Sequence, residues 1–222
     1  MTALTTEIET CRCAASAHAP KAIVLTGGPS AGKTRVLESI RDRLCSHVGL
    51  LPEAASIVFG GGFPRQTTPA ARRAAQRTIY HVQNELERMV REEGTLGIVL
   101  CDRGTLDGLA YWPDDEDAFF EQLETTRDWE LDRYAAVLHL RTPPSDAYDT
   151  TNPLRIESGR EAALLDAAVA EAWRGHPHRH VINASTTFDE KVAAAVAVVR
   201  SELPSCCLGE LARPLCEHCE EV

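Results

Sequence analysis

The octet Gly27-Gly28-Pro29-Ser30-Ala31-Gly32-Lys33-Thr34 constrains this chain more than any other stretch. It fits G-x-x-x-x-G-K-[ST], a glycine-rich turn that opens a helix and aims backbone N–H groups at an anion. The preceding run, Ala22-Ile23-Val24-Leu25, is short, apolar and rich in β-branched residues, as a strand buried on both faces should be. After the octet, Val36, Leu37, Ile40, Leu44 and Val48 recur at helical spacing and predict a helix over about 33–48. A strand, a turn and a helix are the context in which the motif has chemical meaning; the plain alternative is a glycine-rich turn with no ligand.

Each position has a physical task. Gly27 and Gly32 permit positive φ and close backbone approach to phosphate. Gly28, Ser30 and Ala31 supply loop amides, while Pro29 stiffens the turn and removes one donor. Lys33 is the point charge for β and γ phosphates, and the Thr34 hydroxyl is the expected Mg²⁺ ligand. The expected partner is a nucleoside triphosphate.

The 222 residues are most simply one α/β domain with short extensions: a lead over 1–20, the domain over 21–203 and a cysteine-rich tail over 204–222. A net charge of −10 argues against general nucleic-acid binding. No apolar run reaches the length of a membrane span, and the N-terminal stretch lacks the apolar core of a secretory signal, so a cytoplasmic chain is expected.

Further strands are predicted at Ile57-Val58-Phe59, 98–101, 136–140 and 180–182. Helices are predicted over 71–93, ended by Gly94, over 161–174 with Leu165, Val169 and Trp173 on one face, and over 188–203. Strands alternating with helices predict a three-layer α/β/α sandwich around a mostly parallel sheet. Asp114 to Asp117 is expected to be a solvated loop.

Four apolar residues followed by Asp102 match a Walker B strand, whose terminal carboxylate holds Mg²⁺; a capping or salt-bridged aspartate is the alternative. Arg103, next in line, is placed to steady phosphate charge or to make a structural ion pair. Asp107 faces an acceptor pocket or caps a helix, and Glu53 is a general base, an acceptor-binding group or a surface acid. Arg65, Arg72, Arg73 and Arg77 make a local basic excess suited to an anionic acceptor or a phosphorylated lipid headgroup, or a solvated helix face. Arg155 and Arg160 lie in a polar stretch placed like a kinase lid, where arginines neutralise the transferring phosphoryl group; the alternative is pairing with Glu157 and Glu161. Asn183 to Thr186 follow the last strand, where such folds line the base pocket. Cys206, Cys207, Cys216, His218 and Cys219 are either a zinc-binding set or surface thiols.

Five stretches together resemble the AAA-type, NadR-like P-loop family that includes the TRPL translocation defect proteins. They are Gly27 to Thr34; Leu51-Pro52-Glu53 with Gly60-Gly61-Gly62-Phe63; Cys101-Asp102-Arg103-Gly104-Thr105-Leu106-Asp107; Arg133-Tyr134 leading to His139-Leu140; and Glu171-Ala172-Trp173-Arg174-Gly175-His176-Pro177. The resemblance spans residues 21–200 and implies a nucleoside-kinase-like fold. It also implies one of two functions. The first is a Mg²⁺-dependent, ATP-using phosphotransferase with a small hydroxyl-bearing acceptor. The second is a nucleotide-dependent regulatory protein with slow hydrolysis that contacts phosphoinositides or a protein. No NKxD-type guanine motif is present, which favours ATP, with GTP possible.

Overall fold

The computed structural model describes residues 17–143 and 158–208. Five strands form one all-parallel sheet: β1 (Lys21–Thr26), β2 (Val48–Leu51), β3 (Ile98–Asp102), β4 (Tyr134–Leu140) and β5 (Arg179–Ile182), in the order β2-β3-β1-β4-β5. Helices cover both faces, which is the α/β/α sandwich expected from the alternation of strands and helices. The helices are α1 (Lys33–Arg41), α2 (Ala54–Gly60), α3 (Pro69–Glu93), α4 (Glu116–Gln122), α5 (Arg127–Asp132), α6 (Gly159–Ala172), α7 (Phe188–Glu202) and α8 (Ser205–Leu208). A 3₁₀ helix spans Thr105–Tyr111.

Side-chain alternation along the strands divides the core in two. Ile23, Leu25, Ile98 and Leu100 face α1 and α7, packing on Val36, Ile40, Val192 and Val199. Val24, Val99 and Cys101 face the other way, onto Leu106, Val169 and Trp173. This parity positions chemistry. Asp102 follows Leu100 by two residues and so belongs to the face that carries α1. The β1–β3 register sets Leu25 opposite Asp102, so the carboxylate stands level with the start of the glycine loop.

Three local expectations are corrected. The helix after the loop ends at Arg41, not at about 48, because Val48 begins β2 and pairs with Ile98; Leu44 and Cys45 reach the core from the intervening turn. Ile57-Val58-Phe59 is helical rather than a strand. Ala54 and Val58, four apart, are its buried residues while Ile57 is 44% exposed, so packing of one helix face overrides the β propensity of the triplet. The Gly60-Gly61-Gly62 run then stops the helix, with Gly62 at φ 94°. Asp114 to Asp117 is not a free loop: Asp115 caps α4 by accepting from the Ala118 N–H at 2.9 Å, and Asp114 pairs with Arg73 at 2.9 Å.

The long helix matches its expectation closely. Thr68 caps it, Pro69 occupies its first turn, and Gly94 closes it at φ 61°. Among the described residues no helix is long and apolar enough to cross a membrane.

Candidate functional site

The glycine loop joins β1 to α1 at the carboxyl edge of the sheet, where parallel sheets bind ligands. Gly27 has φ 133°, and a Cβ there would run into the Leu140 carbonyl, so only glycine fits. Ser30 at φ 62° and Gly32 at φ 86° turn the chain into α1. Ser30 Oγ is buried with no hydrogen-bond partner among the described residues.

Lys33 is buried and folds back on its own loop, donating to the Gly27 and Gly28 carbonyls at 3.0 and 2.9 Å. Burial, then the neighbouring Arg103 charge, lowers its pKa from 10.5 to about 8; Asp102, Asp107 and Glu53 oppose the fall. An orphaned hydroxyl and a poorly solvated cation on a glycine loop suit a phosphate group.

The Thr34 hydroxyl donates to Asp102 Oδ2 at 3.0 Å. Burial raises the Asp102 pKa and Glu53 adds to the rise, against the pull of Lys33 and the Thr34 hydroxyl. One hydroxyl and one carboxylate at this separation offer the hard oxygen donors that Mg²⁺ takes.

Arg103 interrupts the strand with φ 73°, a left-handed conformation that a non-glycine residue holds at a cost. Its N–H donates to the Leu25 carbonyl at 3.1 Å, which fixes the turn. Its guanidinium leaves the strand line, bonds Glu53 Oε1 at 2.6 Å and approaches the Gly27 carbonyl at 3.4 Å. Burial pulls the Arg103 pKa down, but Tyr111, Asp107 and Glu53 outweigh it and hold the guanidinium charged. Burial likewise pushes Glu53 up, and the Arg103 charge with the Ser56 hydroxyl brings it below its ordinary value. The ion-pair alternative for Arg103 is therefore present, and it lies beside the loop rather than away from it.

Beyond this pair opens a cavity of about 430 Å³ between α2, the first half of α3 and the 3₁₀ helix. Pro29, Glu53, Arg65, Arg72, Arg103 and Tyr111 are among its lining residues. The basic excess is partly absorbed by structure. Arg72 donates twice to the Tyr111 carbonyl, at 3.1 and 2.6 Å, Arg73 pairs with Asp114, and Arg77 bonds Gln122 at 2.7 Å. Arg65 stacks over Phe59, its carbon 4.4 Å from the ring centre.

Asp107 stands between the cavity and the 3₁₀ helix. It lines the cavity and accepts from the Gly104 N–H at 2.8 Å, capping the 3₁₀ helix. It also receives the Thr26 hydroxyl and, at 3.4 Å, the Trp173 indole N–H. Two motifs far apart in sequence thus meet on one carboxylate.

Periodicity gave no sign of Asp166. Buried on α6, it accepts from the Gly28 N–H at 3.0 Å, from His139 Nε2 at 3.0 Å and from Arg141 at 2.9 Å. Burial favours its protonation, but these partners win and lower its pKa. One amide of the glycine loop is thereby turned to a carboxylate. Thr142 adds a second tie, donating to the Pro29 carbonyl at 3.0 Å. Both residues lack a sequence signal, since an isolated aspartate in a helix and a threonine before prolines are commonplace.

Of the residues singled out in the sequence, Lys33, Thr34, Glu53, Asp102 and Arg103 converge here. Arg160 sits exposed in the first turn of α6 with no ion-pair partner among the described residues; Glu161 instead closes a capping box with Ser158. Arg155, Cys216, His218, Cys219 and the Cys206 side chain lie outside the described residues.

A glycine loop on the central strand, a carboxylate on its neighbour and an arginine at the mouth of an adjoining cavity define a P-loop protein of nucleoside-kinase-like architecture. The chain belongs to the AAA domain family, whose model matches residues 22–191. Among solved structures it is similar to a thymidylate kinase from Candida albicans, at 13% identity and a TM-score of 0.56, over 84% of this chain and 93% of that chain. At that identity the likeness speaks for the fold. No curated protein matches the sequence.

Proposed function

We propose that this protein is a Mg²⁺-dependent phosphotransferase that moves the γ-phosphoryl group of ATP to a small hydroxyl-bearing acceptor, nucleoside-like in size. The observation that carries this reading is the cavity of about 430 Å³ that shares Arg103, Glu53 and Pro29 with the rim of the glycine loop. Simple hydrolysis needs room for one water; a cavity of this volume has room for a small organic acceptor.

In this reading the loop amides and Lys33 hold the donor phosphates, and Thr34 and Asp102 hold Mg²⁺. Bound Mg²⁺ supplies charge neutralisation at the phosphate oxygens. Arg103, sandwiched between the Gly27 carbonyl and Glu53, spans donor and acceptor sides and neutralises charge as the phosphoryl group passes. Glu53, paired with Arg103 at the cavity, orients the acceptor hydroxyl. Arg160, free of ion pairs among the described residues, would add charge neutralisation at the transferring group, a role it would share with Arg155, which lies outside the described residues. Catalysis is then mainly positioning, as suits a loose transition state. The motif set supports a kinship, within the AAA domain family, with the TRPL translocation defect and nicotinamide riboside kinase-like proteins.

The test is direct. Purified protein with ATP and Mg²⁺ is incubated with a panel of nucleosides and nucleoside monophosphates, and products are read by mass spectrometry. A phosphorylated product that disappears in Arg103→Ala supports the reading. No product across the panel, together with tighter binding of GTP than ATP, overturns it in favour of a nucleotide-dependent regulatory protein.

A further inference from the structure

At the opposite edge of the sheet, where the strands begin, three segments remote in sequence bring metal-binding side chains together. His18 lies on the approach to β1, His47 on the turn before β2, and Cys207 on α8. One donor atom from each lies within 4.8 Å of the others, and His47 Nδ1 is 3.4 Å from Cys207 Sγ. The two imidazole rings are 4.6 Å apart, inclined at 57°.

We propose that His18, His47 and Cys207 form a structural zinc site that fastens both ends of the described chain to the base of the sheet. The donor set is chemically apt: two imidazoles and a thiolate select a borderline-soft ion such as Zn²⁺ over Mg²⁺ or Ca²⁺. The geometry is apt as well. With Zn–N near 2.0–2.1 Å and Zn–S near 2.3 Å, tetrahedral ligands stand about 3.5 Å apart, close to the His47–Cys207 separation.

The frame behind the donors is rigid. The His18 N–H donates to the Gly94 carbonyl at 2.6 Å, and the His47 carbonyl accepts from the N–H groups of Gly97 and Ile98 at 2.9 and 3.1 Å. Cys207 is fully buried in the core that also holds Leu203, and its N–H donates to the Pro204 carbonyl at 2.9 Å. The three donors thus stand on backbone positions fixed by hydrogen bonds and core packing. Water or a further thiol takes the fourth position; Cys45, two residues before His47, packs against the same core. The sequence places zinc, if anywhere, in the tail cysteines. The structure draws Cys207 out of that set and gives it histidine partners from the other end of the chain.

The cluster is separated from the glycine loop by the length of β1, roughly 17 Å at about 3.3 Å per residue, so its role is to hold structure and not to touch nucleotide.

Cobalt, a tetrahedral stand-in for zinc, tests the assignment on the full-length chain after chelator treatment under a non-thiol reductant. One equivalent of Co²⁺ should produce a thiolate-to-cobalt charge-transfer band, and zinc should displace it. His18→Asn and His47→Asn each abolish stoichiometric binding, whereas the pair Cys216→Ser/Cys219→Ser retains it. Cys207→Ser should behave like the histidine variants. Because Cys207 is fully buried and its variant can fail to fold, the partly exposed histidines decide the matter, with circular dichroism confirming native structure. The assignment is overturned if the intact chain takes up no cobalt or if binding survives in either histidine variant. Loss of binding in the tail pair with retention in the histidine variants also overturns it.

Discussion

Lys33 puts a charge where solvation is poor, and that predicts an unusual trade between stability and binding. Its pKa of about 8 in the folded chain, against 10.5 for the free side chain, means that folding with the ammonium charged costs about 3 kcal/mol at pH 7. Lys33→Met keeps the stem and removes the charge. It also removes two hydrogen bonds to loop carbonyls, worth about 1 kcal/mol each. The variant without ligand should therefore be more stable than the parent by about 1 kcal/mol at pH 7, while losing nucleotide-induced stabilisation.

The sign of the pH dependence follows from the folded pKa lying below the unfolded one. The cost is fully present below pH 8 and fades as pH rises toward 10.5, because the folded state releases its proton first. At pH 9.5 about 1.4 kcal/mol of it remains, so the stability difference between variant and parent should move by about 2 kcal/mol in the parent's favour. Urea unfolding of both proteins at the two pH values, without nucleotide, reads this double difference and cancels every other titration. A difference that stays constant with pH would refute the claim that burial of Lys33 carries the cost.

Three other perturbations have defined outcomes. Asp166→Ala strands the buried His139 and the Gly28 N–H, and urea unfolding should show a loss of about 3 kcal/mol; Asp166→Asn, which still accepts from Gly28, should lose less. Gly27→Ala meets both a φ of 133° and the Leu140 carbonyl, and should cost about 3 kcal/mol or more, read as a fall in unfolding midpoint, with nucleotide binding lost. Arg103→Lys keeps the charge but not the fork that reaches Glu53 and Gly27 together; the Glu53 carboxyl, followed by NMR titration, should move up toward its ordinary value.

What was legible in the sequence was what local patterning encodes. The glycine octet, the apolar strand ending in Asp102 and the long helix from Pro69 to Gly94 each carry their own punctuation. Because strand parity and parallel pairing follow simple rules, the meeting of Thr34 with Asp102 follows from those segments once β1 and β3 are neighbours. Ile57-Val58-Phe59 misled because β propensity depends on packing context, and here burial of Ala54 and Val58 on one helix face decides the conformation. The Glu53–Arg103 pair and the Gly28–Asp166 tie were not legible, since each joins residues fifty or more apart through polar contacts that leave no periodic trace. Glu130 is the plainest case. An ordinary acid in a short helix, it is fully buried and accepts from Tyr80, Thr105 and Thr125 at 2.6, 2.6 and 2.7 Å.

The ties of α6 give the molecule a lever. Asp166 grips the glycine loop near the middle of the helix, and Trp173, the residue that caps its end, rests on Asp107 at the floor of the neighbouring cavity. The two points are seven residues apart, roughly 10 Å along one stiff rod. Were a ligand at the loop to tilt this rod and so alter the cavity floor, linkage would require the two affinities to change each other by the same factor.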